Sequence, residues 1–404
     1  MSSRRHQSSL EGVLDFSEPF SLTPQQSDAA KSLFDIFIKD YGLERAIERG
    51  YKPAKLIHTT LYYISSKVSF LALFFTFLHE NLAVVTSNIT LALSYFEDFS
   101  SWEPAARSVV MGALEEFADF MITQFFLPLR ASSVKTPQPT PASLSTIQAS
   151  TPTNTKQRIS VLRHDCLVRD HHRCVVTRKF DITEARRRHV RNQNCTDDDG
   201  KLLETERRDN FLYLEVAHIL PHCLTKVTSG DEDLVRINPA VSRVSLTDLK
   251  SESKKNVLQI LDMFDPGITH LIDGLKIDSP SNALTLTLDN RRLFGEFQIY
   301  FEPTGRAYEY RIDSVEGGFL SDPFFPVTRT LTLSPNHTIY PPSPRFLGIH
   351  RAISLILKLS AATEYIERIL QDLEQVTVEA DGSTHLGDIM RLRFDGWINQ
   401  LAVF

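Results

Sequence analysis

Cysteine is scarce in this chain of 404 residues, and its spacing argues against a zinc ribbon. The four cysteines form no Cys-x-x-Cys pair, the unit from which structural zinc sites are usually built. A mixed Cys/His metal site is the alternative, but free thiols in a reducing compartment are the simpler interpretation. We therefore expect an intracellular protein, in the nucleus or the cytoplasm. The four residues are Cys166, Cys174, Cys195 and Cys223.

A long apolar run is also missing. The strongest one, Val68 to Leu78, ends at the polar residue His79. It is shorter than the roughly 20 residues that a membrane-spanning helix needs, so it predicts a buried helix and no membrane partner. The first residues are polar and lack the apolar centre of a signal peptide.

The chain as a whole lacks the positive charge of a nucleic-acid binder, since its net charge is −6. Charge is uneven, however, because residues 156–208 contain 14 Lys/Arg and 9 Asp/Glu. The arginines are densest at Arg186–Arg191. Such a patch is able to hold phosphates, and the alternative is an ordinary solvated basic face.

Composition along the chain predicts a disordered tail at residues 1–20, a helical domain at 21–131, a linker at 132–157 and a mixed domain at 158–404. Thr23 and Pro24 form a helix start, and further helices are expected at about 54–79, 82–97 and 103–127. The linker is rich in Pro, Ser and Thr and cannot bury enough apolar surface to fold.

The mixed domain alternates strand and helix patterns and predicts an α+β fold. Strands are expected at Cys174–Thr177, 212–219 and 284–288, and a hairpin at 297–312. A helix is expected at 251–263, and a single long C-terminal helix at about 347–373, packed on the same domain.

Two motifs carry the chemistry. The segment 214–221 reads Leu-Glu-Val-Ala-His-Ile-Leu-Pro, and Asn282 opens Asn-Ala-Leu-Thr-Leu-Thr-Leu, followed by Leu-Phe-Gly-Glu-Phe at 293–297. Together they resemble the HNH endonuclease domain found in many fungal proteins, over roughly residues 160–315. The resemblance implies a ββα-metal fold with added helices in the C-terminal domain.

The resemblance also implies roles for four residues. His218 takes the position of the general base, to which the ordinary pKa of histidine, about 6.5, is suited. Asn282 takes the position that fixes the loop or the orientation of the base. Glu215 and Pro221 belong to the shared pattern; strand alternation places Glu215 on the face opposite His218, which favours a structural role. The expected cofactor is one divalent metal ion, Mg, Mn or Zn.

The chain departs from the family where a metal ligand is expected. Arg291 stands where the family usually has its last His, and a guanidinium cannot bind a cation. Asp289 is the remaining candidate ligand, although a helix cap is the simpler role for it. Arg291 and Arg292 are predicted to bind substrate phosphate instead. His222 and His270 are further candidates without motif support.

Two functions follow from these residues. The first is a metal-dependent HNH endonuclease that hydrolyses phosphodiester bonds, with DNA expected in preference to RNA. The second is a degenerate, non-catalytic HNH domain that binds nucleic acid or a protein. In both cases the helical domain is expected to have a protein partner whose identity is unknown.

Overall fold

The computed structural model describes residues 22–133, 155–225, 246–374 and 385–398. The predicted tail at 1–20 and most of the predicted linker at 132–157 lie outside these residues. By internal packing the chain divides into two compact units. The first takes its described residues from Met1–Ala131, Val227–Thr269 and Leu355–Phe404, and the second from Ser132–Lys226 and His270–Ser354.

The architecture is α+β, with a mostly helical N-terminal region and small sheets farther along the chain. The α-helices of the described residues are α1 (Pro24–Tyr41), α2 (Pro53–Tyr63), α3 (Lys67–Ala83), α4 (Ile89–Phe96), α5 (Pro104–Met121), α6 (Leu127–Ser133), α7 (Thr155–Arg169), α8 (Ile182–Arg191), α9 (Leu246–Phe264), α10 (Thr269–Ile272), α11 (Leu288–Gly295), α12 (Pro344–Leu359), α13 (Ala362–Glu374) and α14 (Leu386–Phe394). The strands are β1 (Phe180–Asp181), β2 (Phe211–Leu212), β3 (Leu214–His218), β4 (Ala283–Thr287), β5 (Ile299–Pro303), β6 (Glu309–Ser314) and β7 (Val327–Thr330).

Helix α1 begins where the sequence predicts, but later helices have other bounds. The helix predicted at 82–97 begins only at Ile89, because α3 continues to Ala83 and a break follows it. The Thr23 hydroxyl and Gln26 form a reciprocal capping box at the start of α1. The predicted helix at 54–79 is wrong as a single element, because α2 ends at Tyr63 and α3 starts at Lys67. Backbone groups at the break bind another helix of the same unit. The amides of Ser65 and Ser66 donate to carbonyl oxygens at the end of α9.

Aromatic side chains form the core of the first unit. Phe37 lies at its centre, with its ring centroid 4.3 Å from that of Phe99 and 5.3 Å from that of Phe96. Phe34 and Phe74 continue the cluster at 5.3 Å. All five rings are fully buried, so the aromatic stripes of the sequence serve packing.

Among the described residues, three small sheets belong to the second unit. Strands β1 and β2 pair in parallel, β3 and β4 pair antiparallel, and β5, β6 and β7 form an antiparallel meander. The predicted hairpin at 297–312 corresponds to β5 and β6. The predicted strand at Cys174–Thr177 is wrong: this segment is a turn, in which the amide of Arg178 donates to the carbonyl of Cys174.

The predicted C-terminal helix at 347–373 is two helices. Helix α12 ends at Leu359, and α13 begins at Ala362 after Ala361 adopts a positive φ of 58°. No single helix among the described residues is long and apolar enough to cross a bilayer. Helices α12 and α13 pass that test only as a pair, and the pair is bent by 93°.

A buried histidine in the second unit makes its stability sensitive to acid. Burial lowers the pKa of His350 to about 3, while its Nε2 donates to the carbonyl of Phe294. Since the folded-state pKa lies below the unfolded value of about 6.5, the unfolded chain binds more protons once the pH falls below that value. The contribution of neutral His350 is therefore complete above about pH 6.5 and is lost as the pH falls toward about 3.

We expect the free energy of unfolding to fall between about pH 7 and about pH 5, with a slope approaching about 1.4 kcal/mol per pH unit for each such histidine. His350→Gln keeps an N–H donor but cannot titrate, so it should flatten this slope. Denaturant unfolding at several pH values measures it. His189→Gln, at an exposed position, is the control. An unchanged slope in His350→Gln would show that this histidine is not the source of the acid sensitivity.

Candidate active site

Strands β3 and β4 and helix α11 form a compact ββα arrangement. The antiparallel pair is in register from Leu214 opposite Thr287 to His218 opposite Ala283. The Thr287 side chain accepts from the amide of Asn290 and caps α11. The interpretation of Asp289 as the cap was therefore wrong; it lies exposed in the first turn of the helix.

A buried arginine fixes the loop that leads into β4. Arg169, at the end of α7, is fully buried and makes two 2.8 Å bonds to the carboxylate of Asp170. It also donates to the carbonyl oxygens of Pro280 at 2.7 Å and Ala283 at 3.0 Å. The guanidinium thereby anchors both ends of the short segment that contains Asn282.

His218 lies at the end of β3 and is held by a carboxylate. Its Nε2 is 3.2 Å from Oδ1 of Asp278, and the Nε2 of His222 is 3.3 Å from the same oxygen. The other oxygen of Asp278 accepts from Nε of Arg158 at 3.0 Å. The side chains of His218 and Asp278 are only 1% and 3% exposed, so this is a buried charge network.

The electrostatics keep His218 neutral and Asp278 ionised. Burial lowers the pKa of His218, and the opposing attraction of Asp278 does not reverse this. Burial works to raise the pKa of Asp278, but hydrogen bonds from His218 and Arg158, with the nearby ring of His222, hold it far below its usual range. A neutral imidazole beside an ionised carboxylate has its proton on Nε2, the nitrogen that faces Asp278.

The described residues offer no hydrogen-bond partner to the second ring nitrogen of His218. This nitrogen, Nδ1, is buried. Leaving such an atom unsatisfied costs about 1–3 kcal/mol, so a water or a substrate group that bonds to it would be stabilised there. With the proton on Nε2, Nδ1 carries the lone pair that is able to accept a proton from a substrate or a water.

Asn282 is fully buried and binds the chain that follows His218. Its Oδ1 accepts from the amide of Leu220 at 2.9 Å, and its Nδ2 donates to the carbonyl oxygens of Leu220 and Ile277, both at 3.0 Å. Asn282 thus fixes the segment on each side of the His218–Asp278 pair. Pro221 is buried and begins the turn that contains His222.

Arg291 and Glu215 face each other between α11 and β3. An Nη1 atom of Arg291 lies 2.9 Å from Oε2 of Glu215. Burial is the main cause of the lowered pKa of His218, and the positive charge of Arg291 adds to it, which places the guanidinium within electrostatic reach of the imidazole. Arg292, by contrast, is largely exposed and pairs with Glu296.

These residues do not fit a divalent cation. The position where the family has its last His holds a guanidinium, which cannot donate electrons to a metal, and this guanidinium already neutralises Glu215. Among the described residues no group of three or more His, Cys, Asp or Glu side chains is arranged to hold a metal ion. Asp289 and His270 are both exposed.

Asp278 and Arg158 were not predicted from the sequence, and His222 was only a candidate without a motif. No periodicity marks Asp278, which ends a short 3-10 turn at Gly274–Asp278. Its position four residues before Asn282 was the only signal available. Arg158 is 120 residues away from Asp278 in the chain, so only the fold brings the two together.

Comparison with known proteins shows which family this part of the chain resembles. The sequence profile of the family described as HNH endonuclease matches residues 174–302. No curated protein and no solved structure matches the chain significantly. The matched range contains β3, β4 and α11, and therefore both motifs of the sequence.

Proposed function

We infer that the HNH endonuclease domain at residues 174–302 acts on nucleic acid, and we propose that it hydrolyses phosphodiester bonds with His218 as the general base. The observation that carries the proposal is the state of this imidazole. Its Nε2 is held by ionised Asp278, its pKa is lowered by burial, and its Nδ1 is unpartnered within the described residues.

In the proposed reaction, Nδ1 of His218 accepts a proton from water as the water oxygen attacks phosphorus. The bond between phosphorus and the leaving sugar oxygen then breaks, and that oxygen takes up a proton from a solvent water. The imidazolium of His218 returns its own proton to solvent, which regenerates the base. Asp278 holds the imidazole in the required tautomer and stabilises the imidazolium that forms, as the carboxylate does in other carboxylate–histidine pairs.

Arg291 is proposed to bind the phosphate. A guanidinium matches two phosphate oxygens in a bidentate geometry and keeps its charge at any working pH. The phosphate would compete with Glu215 for this side chain, because the two groups are paired at 2.9 Å. No step of the reaction is assigned to a metal ion, since the residues at this position do not fit one.

The imidazole must also become accessible to substrate. His218 is 5% exposed, and the turn His222–Thr225 lies against the turn Gly274–Asp278 beside it. The proposed reaction therefore requires the chain around Nδ1 of His218 to move and expose this atom when substrate binds, as loops do in many enzymes.

Nicking of supercoiled plasmid DNA by the full chain tests the proposal. The expected result is nicking that persists after extensive dialysis against EDTA and that is lost in His218→Ala. If His218→Ala nicks as fast as the unaltered chain, the activity does not come from this site and the proposal fails.

A second candidate function is nucleic-acid binding without hydrolysis. The observation that favours it is the Arg291–Glu215 pair at the expected position of the family's metal ligand. In that case the full chain would bind DNA with strong salt dependence and would not nick it. If the chain neither binds nor nicks DNA, a protein-interaction role is the explanation that remains.

The metal question can be tested by restoring the family residue. We expect Arg291→His to bind Mn²⁺ or Zn²⁺ at least about tenfold more tightly than the unaltered chain, a gain of about 1.4 kcal/mol, because the imidazole adds a ligand and frees Glu215. Titration calorimetry measures the affinity. Arg292→His makes the same change at the exposed neighbouring position and should gain nothing. An equal gain in both variants would refute the assignment of this position.

A further inference from the structure

Helix α8 presents a charged surface beside an exposed aromatic ring. An Nη1 atom of Arg186 lies 3.2 Å from the hydroxyl of Tyr213, and the guanidinium carbon is 6.0 Å from the centre of the ring. Tyr213, between β2 and β3, is 53% exposed. Arg186 and Arg191 on α8 are also exposed.

Two of the arginines of α8 bind an acidic residue of the same helix. Helix α8 contains four arginines and a single glutamate. Glu184 is 8% exposed and binds both Arg187, at 2.5 and 2.6 Å, and Arg188, at 2.7 Å. Arg188 also pairs with Asp198. Positive charge therefore remains in excess on the outer face, where the side chain of Arg187 is half exposed.

This surface is fixed relative to the strand that carries His218. One oxygen of Asp181 accepts from the amide of Glu184 and caps α8, and the other accepts from the amide of Leu214, the first residue of β3. Arg163 donates to the carbonyl of Leu214 at 2.8 Å. The cap of the helix and the start of the strand thus share one carboxylate.

We propose that the outer face of α8, together with Tyr213, is a docking surface for single-stranded DNA. The inference rests on the proposed action on nucleic acid and deepens it by naming the form of the substrate. Exposed arginines suit the phosphate backbone of any nucleic acid, but an exposed aromatic ring suits an unpaired base, which is able to stack on it.

The distance from Tyr213 to the candidate active site is comparable to the length of a few nucleotides of single-stranded DNA. Tyr213 directly precedes β3, and His218 ends that strand. Five residues of extended chain cover about 17 Å, at about 3.3 Å per residue. A few nucleotides of DNA cover a distance of this size, so DNA bound at Tyr213 would lie within a few nucleotides of the end of β3 that carries His218.

The test measures binding separately from cleavage. Full-length protein with His218→Ala, which should not cut its ligand, is titrated into fluorescein-labelled oligothymidylate of about 20 nucleotides, and anisotropy gives the Kd. We expect Tyr213→Leu to weaken binding on the order of tenfold, and Tyr213→Phe to change it little. Arg186→Gln should weaken binding and reduce the slope of log K against log salt by about 0.7 for each lost phosphate contact.

Arg306→Gln is the matched control, because Arg306 is an exposed arginine elsewhere in the same unit. It should leave the Kd nearly unchanged. Equal affinities for Tyr213→Leu and Tyr213→Phe would overturn the proposal. So would tighter binding of a duplex of the same length, or of oligouridylate. Binding that depends on Tyr213 in a protein that never cuts DNA would refute hydrolysis and leave the docking surface standing.

Discussion

Replacing His218 by alanine is expected to lower the rate of phosphodiester cleavage by about 10²–10⁴, the usual contribution of a general base. The imidazole is the only group that is proposed to remove a proton from water. The variant removes a side chain that is 1% exposed, so its fold must be checked by circular dichroism. Single-turnover cleavage of a labelled oligonucleotide measures the rate. Cleavage at the unaltered rate would eliminate His218 as the base.

Asp278→Asn is the informative companion to this variant. Burial lowers the pKa of His218 and Asp278 partly opposes it, so removing the charge should lower the pKa of His218 further. The acid side of the pH–rate profile should then move to lower pH, because the base stays neutral in more acidic solution. The plateau rate should fall as well, since the tautomer is no longer held. A titration of His218 by NMR follows the same shift without any need for activity.

The hydrophobic pattern predicted much of what surrounds this site. The runs at 212–219 and 284–288 became β3 and β4 because alternation and β-branched residues favour strands wherever a partner strand exists. The two halves of the motif also came together: the carbonyl of Asn282 accepts from the amide of Ile219. The family match at residues 174–302 agrees with the resemblance on which His218 was chosen.

Local pattern failed where backbone groups found distant partners. Residues 64–66 carry no Gly or Pro, yet they break the helix, because the amides of Ser65 and Ser66 bind the end of α9. Cys174–Thr177 has strand composition but closes a turn onto Lys179. Residues 347–373 keep helical periodicity across Ala361, where a single positive φ separates α12 from α13. Propensity is a weak guide when tertiary contacts compete with it.

The charges at the site were beyond prediction for a related reason. An aspartate such as Asp278 has no periodic signature, and its partners come from α7, β3 and a turn. Arg291 was singled out because a family residue was missing there. Its partner Glu215 was recognised only as part of the motif, and the ion pair became visible only once α11 was placed against β3.

Arg169→Met is expected to destabilise the second unit by about 3–5 kcal/mol, the usual cost of breaking a buried ion pair by removing one partner. Methionine fills part of the volume but leaves Asp170, which is 1% exposed, without its counter-ion. It also leaves the carbonyl oxygens of Pro280 and Ala283 without their donor. Denaturant unfolding measures the loss.

Two further variants show whether the buried pair is the cause. Arg169→Met combined with Asp170→Asn removes both charges together and should recover part of the loss, because most of the cost comes from leaving a buried charge unpaired. Arg292→Ala breaks the exposed pair with Glu296 and should cost at most about 1 kcal/mol. If Arg169→Met cost no more than Arg292→Ala, the segment from Asp278 to Asn282 would have to be held by other contacts. The position of Asp278 beside His218 would then need a different explanation.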